Sequence, residues 1–320
     1  MIRRGVLAVV LAGLLALGWF AGGWFQSGPL KQDTPLIVAE GSSLSALAQQ
    51  LEDKGAVASA SAFKLRARVF GAGRTIKAGE FLLPKGASPS RILAVVTGDE
   101  VIRRFVTVPE GMPSIMVYER LMAQPNLSGT IAVPAEGTIL PDTYEFERGE
   151  SRQAVLDRMQ AAMVRTVDAL WKKRGPQIAV ATPREALILA SIVEKETGKP
   201  SERAMVAGLY SNRLRQGIML QADPTIIYPI TQGKPLGRRI RQSEIRSVNG
   251  YNTYAMIGLP DGPITNPGRA SIEAVLHPAN TGALYMVADG TGGHAFASTL
   301  AEHNANVQKW FALRRAKGEI

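Results

Sequence analysis

The chain has 320 residues, 46% of them hydrophobic and 20% charged, with 37 Lys+Arg against 27 Asp+Glu for a net charge of +10. That composition is globular, with room for one large domain or two to three smaller ones. It contains no cysteine, which excludes disulfide frameworks, thiolate zinc sites and cysteine nucleophiles. Three histidines, none in an H-E-x-x-H arrangement, argue against a histidine-built metal site. The basic excess belongs to the second half: residues 151–320 hold 22 Lys+Arg against 13 Asp+Glu, and residues 1–150 hold 15 against 14. Such a charge suits nucleic acid, an anionic polymer, a membrane surface or an ordinary soluble face.

At the N-terminus, Arg3 and Arg4 precede an uncharged run of 21 residues, Gly5–Phe25. At about 1.5 Å per residue this spans a bilayer core of about 30 Å. The two arginines predict a cytoplasmic N-terminus, with everything after Gln26 on the opposite face. Trp19, Phe20, Trp24 and Phe25 suit an aromatic belt at the outer end. The run is longer than a signal-peptide core and no A-x-A site follows it. Residues 1–26 are therefore expected to be a retained single-pass anchor, with the bulk of the chain on the face opposite the cytoplasm.

A repeated pattern follows. Glu40-Gly41-Ser42-Ser43 and Glu110-Gly111-Met112-Pro113 each precede an apolar-periodic run, ending at Leu51 and Leu121, and Lys85-Gly86-Ala87-Ser88 opens a third. Each reads as strand, glycine turn and capped helix. Strands are predicted at 35–38, 80–83 and 103–108, with a further helix at 60–69. Strand-helix-helix-strand over residues 35–100 resembles a LysM module, a glycan-binding fold. A spacer without a ligand is the alternative. Residues 101–150 form a connecting region of open allegiance.

The most informative stretch is Thr182–Gly198. Thr182 suits an N-cap, Pro183 the first helical position and Glu185 a capping box. Apolar residues on nearly every side predict a buried helix. Glu194 shares the face of Leu187, Ala190 and Ser191, while Glu196 is rotated about 200° away. Against an apolar wall, Glu194 would hold its proton near neutral pH, as a general acid at a glycosidic bond requires. Two glutamates decorating a helix end is the structural alternative. A second helix is predicted over 202–216, capped by Ser201. Beyond it, loops carry Gln221, Asp223, Thr225, Tyr251, Asn252, Thr253, Tyr254 and Asn266, and His294 falls in a predicted hairpin. Aromatic, amide and hydroxyl groups of this kind suit sugar binding. Gly290–Gly293 lacks the spacing and helix of a nucleotide loop.

Taken together these blocks resemble the YceG-like (MltG) family of endolytic murein transglycosylases. The matching segments are Glu136-Gly137, Leu140-Pro141-Asp142-Thr143-Tyr144, Ala190–Thr197, Asn212-Arg213-Leu214, Leu220–Thr225, Tyr251–Tyr254, Gly258-Leu259-Pro260, Asn266-Pro267-Gly268 and Gly292-Gly293-His294. Thr138, Leu140, Gly250 and Asp261 depart from the family pattern. The resemblance implies an α+β chain with a transmembrane helix, a LysM-like module and a larger catalytic domain over 151–320. It implies cleavage between N-acetylmuramic acid and N-acetylglucosamine in nascent glycan strands, leaving 1,6-anhydro ends and helping to terminate strand elongation. By the same resemblance Glu194 is the acid and then the base; a second carboxylate is not required, and Glu196, Asp223 and Asp142 stay open as candidate helpers. Partners would be glycan strands and cell-wall synthases such as penicillin-binding proteins, with no cofactor or metal. A lysozyme-like hydrolase and a non-catalytic glycan-binding scaffold are the alternatives. Nucleic-acid binding is the weakest reading, given the expected location.

Overall fold

The structure, a computed structural model, describes residues 2–318, with side chains described at Leu7 and from Val10 onward. It divides into two compact units. One runs to Arg104 and includes Glu145–Gly149. The other comprises Phe105–Tyr144 and Glu150 onward. The region around 101–150 is thus shared, with most of it in the second unit.

In the first unit, α1 (Ile2–Phe25) leads into β1 (Thr34–Val38), α2 (Leu44–Asp53), α3 (Ala60–Phe70), β2 (Gly79–Leu83) and α4 (Pro89–Thr97). The two strands pair antiparallel, Thr34 opposite Leu83 and Val38 opposite Gly79. Leu36, Val38, Phe81 and Leu83 are buried, as period-two alternation requires. The helices lay Leu47, Leu51, Phe63, Ile92 and Val96 into the same core. Their starts are set by Ser43, Ser59 and Ser88, whose side chains accept the backbone N–H three residues on. The glycine of each repeated turn, Gly41, Gly86 and Gly111, has φ between +65° and +74°, which explains the residue chosen there.

Among the described residues no helix is long and apolar enough to cross a membrane. The side chains of Arg3 and Arg4, on which the expected orientation rests, lie outside the described ones. The aromatic belt needs correction. Trp24 is 4% exposed and packs against Phe63 and Phe70 at 5.9 and 5.8 Å, so it belongs to the core. Trp19 and Phe25 remain exposed, and the Arg66 guanidinium lies over the Trp19 ring.

The chain passes between the units along β3 (Arg104–Thr107) and β4 (Thr143–Phe146), which pair with each other. The second unit holds α5 (Ser114–Met122), α6 (Arg152–Trp171), α7 (Pro183–Glu196), α8 (Arg203–Arg215), α9 (Asp223–Thr231), α10 (Gln242–Ile245), α11 (Arg269–Leu276), β5 (Tyr285–Ala288), β6 (His294–Ala297) and α12 (Leu300–Ala316). Helix α7 is the centre of this core, with Leu189, Ala190, Ile192 and Val193 fully buried among residues of α6, α8 and α11. The predicted start of α8 shifts: Pro200–Glu202 forms a 3-10 turn and the α-helix begins at Arg203. Strands β5 and β6 form the expected antiparallel hairpin, against which α12 packs.

Candidate active site

Helix α7 begins with the predicted capping box between Thr182 and Glu185, with Pro183 in its first turn. It ends at Glu196 because Thr197 turns extended, at φ −139° and ψ 126°. Its last turn carries two carboxylates that face different surroundings.

Glu194 is used as a fastener. Its side chain is 5% exposed. Its Oε2 accepts the backbone N–H of Gly268 at 2.9 Å, and its Oε1 lies 3.7 Å from Nη2 of Arg203. The same Arg203 nitrogen donates to Oε2 of Glu110 at 2.8 Å. Gly268 is the N-cap of α11, so an anion here also meets the positive end of that helix. A Cβ on Gly268 would stand 2.0 Å from Oε1 of Glu110, so only glycine allows this approach. The apolar wall expected around Glu194 is therefore replaced by an amide and a guanidinium.

Glu196 opens onto a cleft of about 310 Å³. Tyr210 and Arg213 from α8, Gln221 and Asp223 from the start of α9, and Tyr254 line it with Glu196. Burial pushes the Glu196 carboxyl up to about 7, and the neighbouring Asp223 charge pushes the same way. A hydrogen bond with Tyr210 and the charge of Arg213 oppose them. The Tyr254 hydroxyl donates to Oδ1 of Asp223 at 2.7 Å, and burial keeps that phenol protonated well beyond its usual range. The cleft thus pairs a carboxyl that retains its proton near neutral pH with a second acidic group that accepts a hydrogen bond from a phenol.

The other expected sugar-binding residues divide into wall and frame. Gln221, Asp223 and Tyr254 are at the cleft. Thr225, Asn252, Thr253 and Asn266 have no exposed surface and cannot touch a substrate. They are reassigned to the frame, where their side chains satisfy buried backbone groups of loops that lack ladder bonds. Thr225 and Thr253 share a hydroxyl–hydroxyl bond of 2.8 Å, and the Thr253 hydroxyl accepts the N–H of Ala222. The Asn252 amide donates to the carbonyls of Ile245 and Ser247. Asn266 donates to the Met112 carbonyl and Glu136 and accepts from the N–H of Ile139. Tyr251 packs on Tyr228 with ring centres 4.7 Å apart. His294 binds Glu202 through Nδ1 at 2.9 Å, which pins the hairpin to the 3-10 turn; the hairpin reaches the cleft through Met286 rather than through His294. Asp142, an expected helper, accepts the N–H of Thr143 on its own turn.

The departures at Gly250 and Asp261 form one feature. A Cβ on Gly250 would lie 1.7 Å from Oδ2 of Asp261, and the Asp261 N–H donates to the Gly250 carbonyl at 2.8 Å. The aspartate side chain occupies the space the glycine leaves.

Tyr210 and His303 line the cleft and carry no motif in the sequence, while Arg213 enters there only within the Asn212-Arg213-Leu214 segment. Tyr210 and Arg213 are three residues apart on α8 and therefore share a face, a spacing that was legible. His303 comes from α12 and had no such signal. Glu136 belongs to the Glu136-Gly137 segment. Burial pushes its carboxyl up to about 7, against hydrogen bonds from the backbone and hydroxyl of Ser114. Among the described residues no group of three or more His, Cys, Asp or Glu could hold a metal ion.

Comparison with known proteins agrees with this arrangement of motifs. Residues 36–309 match the model of the YceG-like family. The chain is 27% identical over 328 aligned positions to an endolytic murein transglycosylase of Bacillus subtilis, covering 90% of this chain and 89% of that one. It is 32% identical over 179 positions to a protein of the same name from Streptococcus pneumoniae, covering 54% of this chain and 31% of that protein. A crystal structure of a YceG-like protein from Listeria monocytogenes matches with a TM-score of 0.54 and 26% identity, over 86% of this chain and 99% of that one. With a family model spanning most of its length, the chain belongs to the YceG-like family.

Proposed function

We propose that this protein is a peptidoglycan lytic transglycosylase that cuts glycan strands internally, with Glu196 rather than Glu194 as its acid. One observation carries the reading. Glu196 lies in a polar cleft with Asp223 and Tyr254, in surroundings that keep its carboxyl protonated up to about 7. A carboxylic acid that keeps its proton near neutral pH is what glycosidic cleavage uses.

The steps follow from proton balance. Glu196 gives its proton to the glycosidic oxygen as the bond to muramoyl C1 breaks, releasing the 4-hydroxyl of N-acetylglucosamine. The Glu196 carboxylate then takes the proton of the muramoyl C6 hydroxyl as that oxygen bonds to C1. The product is the 1,6-anhydro ring, no water is consumed, and Glu196 ends protonated as it began. Asp223 supplies the charge that favours protonated Glu196, and the Asp223–Tyr254 pair offers an acceptor and a ring to the sugar. We further propose that the apolar N-terminal run anchors the chain in the inner membrane with its bulk periplasmic. On this reading the β1–α2–α3–β2 segment is a LysM-like module that holds the strand, and the enzyme helps end strand elongation beside the synthases.

The test is product analysis by mass spectrometry after incubating the full chain with intact glycan strands. Fragments one water lighter than the hydrolytic product, lost in Glu196→Gln, support the proposal. Reducing ends in their place make the protein a lysozyme-like hydrolase. A folded protein that binds strands and releases nothing is a scaffold.

A further inference from the structure

Arg213 is 7% exposed, yet among the described residues no carboxylate pairs with it. Burying an unpaired charge is strongly unfavourable, so its retention calls for compensation on site. The fork of its guanidinium provides part of it. Nε donates to the Leu284 carbonyl at 2.6 Å. Nη1 donates to the carbonyls of Met219 and Leu220 at 2.9 and 3.0 Å, and to Oε1 of Gln221 at 3.2 Å. These groups belong to the turn that enters α9. Gln221 sits there at φ +54°, a left-handed conformation that is unfavourable for a non-glycine residue. The turn keeps that conformation where its carbonyls and its side chain are held from α8. The guanidinium plane also lies 5.3 Å from the Tyr285 ring.

We infer that Arg213 is the positioning residue of the cleft: its fork holds Gln221 at the wall, and its fixed positive charge balances the acidic groups there. The inference rests on the reading of Glu196 as the acid. The groups facing that carboxyl are Tyr210 and Arg213 from α8, Asp223 from α9, Tyr254 from its loop and His303 from α12. Burial and Asp223 favour the protonated form, and Arg213 and the Tyr210 hydroxyl favour the anion. A residue that must give a proton and then take one works best when neither form dominates. With Arg213 removed, Glu196 would become a more reluctant acid.

The test compares Arg213→Gln, Arg213→Lys and Gln221→Ala in the full chain, reading melting temperature, KM, and kcat against pH. Arg213→Gln should move the alkaline limb of kcat up by about one pH unit, because the anion loses its counter-charge. Arg213→Lys keeps the charge, so its limb should stay in place, while the lost fork raises KM by about 2- to 10-fold. Gln221→Ala should raise KM alike, and Arg213→Lys combined with Gln221→Ala should be no worse than either alone. A carbon-13 titration of Glu196 in wild type and Arg213→Gln reads the charge effect without turnover. An unmoved titration, or activity lost only in proportion to unfolded protein, makes Arg213 a structural tie and overturns the inference. If Arg213→Gln does not fold, additive KM effects of Arg213→Lys and Gln221→Ala overturn it. Activity retained in Glu196→Gln is a different failure and falls on the proposed function.

Discussion

Glu194 and Glu196 stand two residues apart on one helix and meet opposite fates. Glu194 faces Gly268, Arg203 and Glu110, and closes the start of α11. Glu196 faces a cleft, an anion and two phenols, and holds its proton up to about 7. Both are acidic, and both end a buried helix. A rotation of about 200° separates the carboxylate tied to Gly268 and Arg203 from the one proposed as the proton donor. What distinguishes them is the chain that each face meets, which comes from residues dozens of positions away.

Removing each carboxylate in turn separates the two roles. Glu196→Gln should lower kcat by roughly 10²- to 10⁴-fold with an unchanged fold. Glu194→Ala should leave kcat within a few-fold and cost about 1–3 kcal/mol of stability, since the Gly268 N–H and Arg203 lose a partner. Turnover assays beside denaturant melts measure both, and the reverse pattern would restore Glu194 as the acid.

Next in size is the stability cost of the proton itself. Glu196 and Glu136 ionise near 7 in the folded chain against an ordinary value of 4.5. The folded state therefore binds more protons between these values, and stability falls as pH rises from about 4.5 to 7. Each group contributes a loss on the order of 3 kcal/mol above that window. Glu196→Gln should accordingly be more stable than wild type at pH 8 and close to it at pH 4. Equal melting temperatures at pH 8 would show that the cleft leaves Glu196 unperturbed.

A smaller effect isolates Asp223. Asp223→Asn removes an anion that raises the Glu196 value, so the alkaline limb of kcat should move to lower pH by about one unit. A limb that stays put assigns the shift to burial alone. The smallest effect tests the paired departures. Gly250→Ala should cost up to about 1 kcal/mol because its Cβ meets the Asp261 carboxylate, and adding Asp261→Ala should recover most of it. Strictly additive losses would mean the two positions are independent.

Much of the scaffold was legible in the sequence because it is local. Thr182, Pro183 and Glu185 mark the start of α7 by capping chemistry that acts within four residues. Gly41, Gly86 and Gly111 mark turns because only glycine takes their φ cheaply. The apolar periods announced β1, β2 and the helices for the same reason. The opposed directions of Glu194 and Glu196 also followed from helix geometry alone.

Only the tertiary structure decided what lies in each direction. Thr225, Asn252, Thr253 and Asn266 look like sugar ligands by residue type, yet they satisfy backbone groups of loops buried without ladder bonds. Trp24 reads as a membrane-interface residue until Phe63 and Phe70 close over it. Arg213 and His303 reach the cleft from helices about ninety residues apart in sequence. The physical reason is one of range. Caps, turns and periodicity are energies of neighbouring residues, whereas burial, charge balance and the accessibility of a carboxyl depend on which distant segments pack together.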